Sequence, residues 1–198
     1  MKVIGISGSP RKDGNTEILV RYALEPFREK GWEVSEFFLS TRSIKPCIAC
    51  EMCADSVICS IRDDDMNYLL DELEDCDALI IGSPAYYRNV TAQLKALFDR
   101  SYVFRNRKLL EGKLGGAIAV GRGEGGGQSL VLSIIYNYYL SSGALCVPCE
   151  INGLSARADK PGDILKQEKR LRQARLLGEN ILKYAEMRAA IEASINQK

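Results

Sequence analysis

The chain has 198 residues, 46% of them hydrophobic, and its 27 lysines and arginines against 26 aspartates and glutamates leave a formal charge of +1. That length suits one domain, the near-neutral charge gives no global attraction to nucleic acid, and no apolar run reaches the length of a membrane span. Histidine is absent, which removes imidazole as a general base, excludes Ser-His-Asp and Cys-His nucleophile systems, and leaves thiolates and carboxylates as the available metal ligands.

Residues 2–6 read as an apolar strand, too short for the apolar region of a secretory signal, so a cytoplasmic protein with reduced thiols is expected. A loop over residues 7–14 leads into a helix from Asn15, in which Leu19, Ala23 and Phe27 share one face and Pro26 marks a kink before Gly31. Residues 32–39 form a second strand, followed by a cysteine-rich loop at 44–62. Asp63, Asp64 and Asp65 then bring negative charge to the start of a helix carrying Leu69, Leu70 and Leu73. A third strand spans 78–81, a loop 82–87, a helix 91–98, and a fourth strand 116–120. The glycine-rich stretch 121–127 precedes a helix at 128–140, a fifth strand at 145–150 and a long amphipathic helix at 165–195 interrupted at Gly178. Five apolar strands alternating with helices predict a doubly wound α/β fold, one domain over 1–198 with a parallel sheet covered on both faces. In such sheets ligands bind beyond the carboxyl ends of the strands where the strand order reverses; the loops at 7–15, 83–90 and 121–127 and the cysteine loop all leave such ends.

Cys47, Cys50, Cys53 and Cys59 fall within thirteen residues. Two residues between successive thiols, twice over, let one turn gather three thiolates, and a fourth follows a short loop. Iron-sulfur clusters need that convergence, whereas four-thiolate zinc sites usually come as two well-separated pairs. The spacing predicts a 4Fe-4S cluster, with zinc or plain buried thiols as the alternatives. Ile48, Ala49, Met52, Val57 and Ile58 would shield it, while Glu51 and Asp55 would leave it partly wet.

Ser9, Arg11, Asn15 and Thr16 offer hydroxyl, guanidinium and amide donors where a helix presents free N–H groups and the positive end of its dipole. Gly8 and Gly14 allow close backbone approach, but Asn15 stands where a nucleotide triphosphatase carries its lysine, so the phosphate-loop pattern fails. The site suits a monophosphate held permanently, as in a flavin mononucleotide. An ordinary capped helix start is the alternative.

The segment 8–16, the loop 82–87 with the helix 93–100 behind it, and the glycine-rich third loop together resemble the NADPH-dependent FMN reductases. With the cysteine comb added, the chain resembles the iron-sulfur flavoproteins over nearly its whole length. The resemblance implies a flavodoxin-like fold with strand order 2-1-3-4-5, one FMN and one 4Fe-4S cluster per subunit, and a homodimer or homotetramer. It implies that Ser9, Arg11, Asn15 and Thr16 hold the FMN phosphate, and that Pro84, Ala85, Tyr86 and Tyr87, with Asn89, border the ring and ribityl chain. Gly123, Gly125 and Gly126 would close over the ring edge, and Cys47, Cys50, Cys53 and Cys59 would ligate the cluster. The activity then expected is electron transfer from a low-potential donor such as ferredoxin through the cluster to FMN, and on to a small acceptor: a quinone, oxygen or peroxide. An NAD(P)H-dependent flavin or quinone reductase with a structural or zinc-binding cysteine loop is the alternative.

Weaker signals have plainer readings. Residues 121–126 match a dinucleotide fingerprint, but the third loop of such a sheet explains the glycines equally well. Cys146 and Cys149 spell a CxxC inside an expected strand, where their side chains would point to opposite faces; they and Cys76 read as structural. The basic run at 166–172 is the solvated face of a helix, and Tyr136, Tyr138 and Tyr139 are core or subunit packing.

Overall fold

The structure, a computed structural model, describes residues 1–54, 56, 58–104, 110–123 and 125–196. Asp55 and Val57 of the cysteine loop and Glu124 of the third loop lie outside the described residues. The elements in chain order are β1 (Lys2–Ser7), α1 (Asn15–Glu29), β2 (Glu33–Phe38), α2 (Met66–Asp75), β3 (Ala78–Pro84), α3 (Ala92–Arg100), β4 (Leu114–Gly121), α4 (Gln128–Ser141), β5 (Leu145–Cys146), β6 (Leu154–Arg157) and α5 (Glu168–Asn196). The sheet order is β2-β1-β3-β4-β5 with parallel pairings, the flavodoxin-like arrangement, and the cysteine loop follows β2.

Side-chain alternation sorts the core into two layers, as a sheet covered on both faces requires. Ile4 and Ile6 of β1 join Leu79 and Ile81 of β3 beneath α2, α3 and α4. Val3, Ala78, Ile80 and Ile118 face the other way, onto Leu19, Val20, Leu24 and Phe27 of α1 and Leu177 and Ile181 of α5. Pro26 lies inside α1, which runs on to Glu29. Gly178 does not interrupt α5. A Cβ there would collide with the carbonyl oxygen of Ala23, so this glycine lets α5 cross α1 at backbone contact.

The expected fifth strand at 145–150 is instead two segments on the same edge of β4. β5 pairs Leu145 with Leu114 and Cys146 with Gly115, and the Val147 N–H reaches Gly115 O at 2.8 Å. Pro148 has no N–H to continue the ladder. The chain turns out, with Cys149 N donating to Asn152 O at 2.7 Å, and returns as β6 opposite Ile118–Gly121. Cys146 and Cys149 pack against opposite layers of the core, but Cys149 lies beyond the strand: its buried thiol contacts Gln173 O at 3.2 Å, and burial pushes it up to about 11.

Tyr139 reaches into the sheet from α4. Its hydroxyl donates to Gly116 O at 2.8 Å and accepts from Ile81 N at 3.1 Å, and burial holds the phenol well above its ordinary value, so it keeps the proton it donates. Tyr139→Phe leaves both backbone groups without that partner, and a stability loss of about 1–3 kcal/mol is expected. An unchanged urea midpoint would show the hydroxyl to be dispensable.

Candidate functional site

In this strand order the reversal falls between β1 and β3, and a cleft of about 370 Å³ opens there, beyond their carboxyl ends. Ser9, Arg11, Asn15, Thr16, Pro84, Ala85, Tyr86 and Tyr87 all line it. Its floor is a tight loop. Ser9 Oγ accepts from Arg11 N at 3.1 Å, and Gly14 N donates to Arg11 O at 3.2 Å. Gly14 is the N-cap of α1 and brings no side chain to its first-turn N–H groups; a Cβ there would sit 2.9 Å from Arg11 O. Uncapped N–H groups at a helix start, a buried threonine and an arginine at the rim form a donor set that fits a phosphate monoester.

The second loop is fastened to the first. Thr91 Oγ1 donates to Gly8 O at 2.6 Å and caps α3 by accepting from Leu94 N at 3.2 Å. Tyr86 and Asn89 exchange backbone hydrogen bonds of 3.0 Å around Tyr87 and Arg88, both at positive φ, 48° and 62°. That two-residue turn holds Tyr87 fully in solvent and Tyr86 half-exposed above the cleft, a wall suited to a flat ring.

Five expected residues sit differently. The Asn15 side chain is taken up by the protein, with Nδ2 donating to Lys160 O at 2.9 Å and Oδ1 accepting from Ile164 N at 3.1 Å, so it fastens the segment after β6 over the cleft. Asn89 bonds its neighbour Val90 N at 2.8 Å and is not among the cleft-lining residues. Gly123 and Gly125 line an adjoining groove, with Gly126 turned into the loop by its 3.2 Å bond to Gly123 O. In their place Val120, Gly121, Arg122, Ala158, Asp159 and Pro161 complete the cleft. Arg122 Nε pairs with Asp159 Oδ1 at 2.6 Å on the mouth, and Arg11 Nη1 donates to Asp159 O at 3.3 Å. The signal for this segment was its Pro161-Gly162 turn, with Gly162 at φ 81°.

The cysteine loop overturns the cluster expectation. Cys47, Cys50, Cys53 and Cys59 border one cavity of about 390 Å³, but among the described residues no three Cys, Asp or Glu side chains are gathered as metal ligands. Cys59 is buried and accepts from Arg100 Nε at 3.3 Å, while Cys47 and Cys50 are exposed. Cys50 Sγ lies 3.1 Å from Ser60 Oγ, a contact that lowers its thiol from the ordinary value, and Cys47 Sγ accepts from Ala49 N at 3.4 Å. The donor set therefore fits neither a 4Fe-4S cluster nor zinc. The expected electron path from ferredoxin through a cluster is withdrawn with it. What organises the loop is Arg100 of α3, its side chain fully buried, which is paired with Asp64 and donates to Ile61 O at 3.0 Å and Lys45 O at 3.3 Å.

Residues 1–155 match the model of the family described as NADPH-dependent FMN reductase. An iron-sulfur flavoprotein of Methanocaldococcus jannaschii is 40% identical over 185 residues, 91% of this chain and 95% of that protein. An iron-sulfur flavoprotein of Methanosarcina thermophila is 40% identical over 148 residues, 74% of this chain and 77% of that one. Among solved structures, RosB with a bound 8-demethyl-8-formylriboflavin-5'-phosphate superposes with a TM-score of 0.73 at 15% identity, covering 100% of this chain and 88% of that one. A flavone reductase gives 0.71 at 20% identity, covering 94% of this chain but 63% of the other. At those identities the structural likenesses speak for the fold alone. No helix among the described residues is long and apolar enough to cross a membrane.

Proposed function

Because the chain belongs to the NADPH-dependent FMN reductase family, together with the iron-sulfur flavoproteins, and is a flavin-dependent oxidoreductase, we propose that it oxidises NAD(P)H through one FMN and reduces a quinone or a free flavin, its cysteine loop serving as structure. The observation that carries this reading is the cleft at the strand-order reversal, which joins a phosphate-sized donor set at the start of α1 to the wall formed by Pro84 to Tyr87. FMN held there would supply the chemistry, two-electron redox exchange between a nicotinamide and the acceptor.

The chain's own residues bind and orient. The first-turn N–H groups of α1, Thr16 and Arg11 hold the phosphate, and the Tyr86–Asn89 turn walls the ring. Asn15 fastens residues 160–164 over the cleft. With no histidine in the chain, proton exchange with solvent at the open mouth replaces a side-chain relay.

The test is anaerobic purification with flavin, iron, sulfide and zinc quantified per chain, followed by NADPH and NADH oxidation with menadione as acceptor, on the wild type and on Cys50→Ala. One flavin per chain is expected, with turnover changed less than about twofold in the variant, the size of a typical neutral surface change. Flavin-loaded protein that oxidises neither nicotinamide sinks the proposal. Stoichiometric iron and sulfide lost in Cys50→Ala would sink the structural reading of the loop.

A further inference from the structure

The flavin cleft does not end at Arg122. Gly121 and Arg122 line the cleft and Gly123 the next groove; Ala158 lines the cleft and Arg157 that same groove. Arg157 Nε donates to Arg122 O at 3.0 Å, tying the two together. The groove has about 310 Å³ and runs into an outer cavity of about 220 Å³, with Ser155 and Arg170 lining both. Three concavities therefore follow one another from the carboxyl end of β4 back along β6 to the turn that precedes it, an elongated site rather than a single hole.

The groove's chemistry is specific. Arg157 and Arg170 bring two guanidinium groups to it, beside the glycine backbone of the third loop. Arg170 makes no ion pair with a described residue; its Nη1 donates to the neutral amide of Gln173 at 2.7 Å, leaving its charge available to an anion. The outer cavity differs. Glu150 borders it, which disfavours an anion there, and Ile151 is fully exposed at its lip, an apolar surface for a flat ring. Ring, anion, ring is the sequence of environments from Tyr86 to Ile151.

We propose that this groove holds the pyrophosphate of the nicotinamide dinucleotide, with Arg170 and Arg157 as its binding residues and the adenosine lying in the outer cavity toward Ile151. The assignment rests on the NAD(P)H reading above and adds the subsite. It also gives the third loop a role other than closing over the flavin ring: its glycines leave the groove open, since a Cβ added at Gly123 or Gly125 would meet no atom within 4 Å.

The probe is ADP-ribose, which carries the pyrophosphate and adenosine but no nicotinamide and so cannot reduce flavin. Its affinity for the FMN-loaded protein is measured by calorimetry. Arg170→Gln is expected to weaken it roughly ten- to hundredfold, the value of a charge-assisted contact, with Arg170→Lys recovering most of the loss. Ser155→Trp, which fills the groove without removing a charge, is expected to weaken it as well. Flavin content serves as the control for folding in each variant. NADPH and NADH are expected to show raised KM with kcat little changed, the pattern of lost uniform binding. Wild-type protein that oxidises no NAD(P)H defeats the functional reading itself. Oxidation together with ADP-ribose affinity untouched by Arg170→Gln and Ser155→Trp defeats this assignment alone.

Discussion

Arg100→Leu is expected to lower the unfolding free energy at neutral pH by about 3–5 kcal/mol, the usual cost of removing one partner of a buried ion pair. The side chains of Arg100 and Asp64 are both fully buried, and the substitution strands the Asp64 carboxylate, the Cys59 sulfur and the carbonyls of Ile61 and Lys45 at once. Burial pushes the Asp64 carboxyl toward its neutral form. The hydrogen bond from Arg100, with those from Lys45 N and Met66 N, outweighs that and holds Asp64 below the ordinary carboxylate range. A depressed carboxylate contributes stability that is present above its unfolded value near pH 4 and is lost as pH falls through the lower folded value. The gap between wild type and Arg100→Leu is therefore expected to be largest at pH 7 and to shrink below about pH 4. Urea titrations at pH 7 and pH 3 measure it. An equal gap at both pH values, or none at pH 7, would show that the pair does not hold the loop. Limited proteolysis should also cut the variant at residues 44–62 before the wild type, since the loop loses its tether to α3.

The second large effect concerns flavin affinity. Gly14→Val places a branched side chain where even a Cβ would lie 2.9 Å from Arg11 O and 3.3 Å from Ser9 Oγ. The loop must move, and the first-turn N–H groups of α1 lose their approach to the phosphate. Overpacking of this kind costs about 1–3 kcal/mol, or roughly ten- to hundredfold in the FMN dissociation constant. Fluorescence titration of flavin-stripped protein gives the constant directly. Gly123→Ala is the control, because a Cβ there meets open space; its affinity should match the wild type. Equal affinity in Gly14→Val would move the phosphate away from α1.

These two sites also show how far a sequence reading reaches. The loop at 7–15 was legible because its geometry is local: a strand end, a tight turn and a helix start lie within a dozen residues, and the N–H groups it presents belong to that helix. Asn15 shows where locality stops. Its residue type fits a phosphate, yet its side chain is claimed by Lys160, 145 positions away. β6 was missed for a related reason. Four residues with only Leu154 and Ala156 buried carry too little periodicity to announce a strand, and it exists because β4 has an open edge once Pro148 has ended β5. The cysteine comb is the sharpest case. Spacing of two residues makes convergence of three thiols possible, but which way Cys59 faces depends on Arg100, 41 residues away.

Composition and periodicity by themselves determined the class of fold, the two-layer core, the order of strands and helices as far as α4, and the loop that starts α1, because each depends on residues within a turn or a strand of one another. Only the tertiary structure decided the ends of the cleft, the split edge strand and the fate of the four thiols. Those depend on partners brought together by the crossover connections, and a side chain's affinity for a distant carbonyl, carboxylate or sulfur leaves no mark on its own neighbours in the chain.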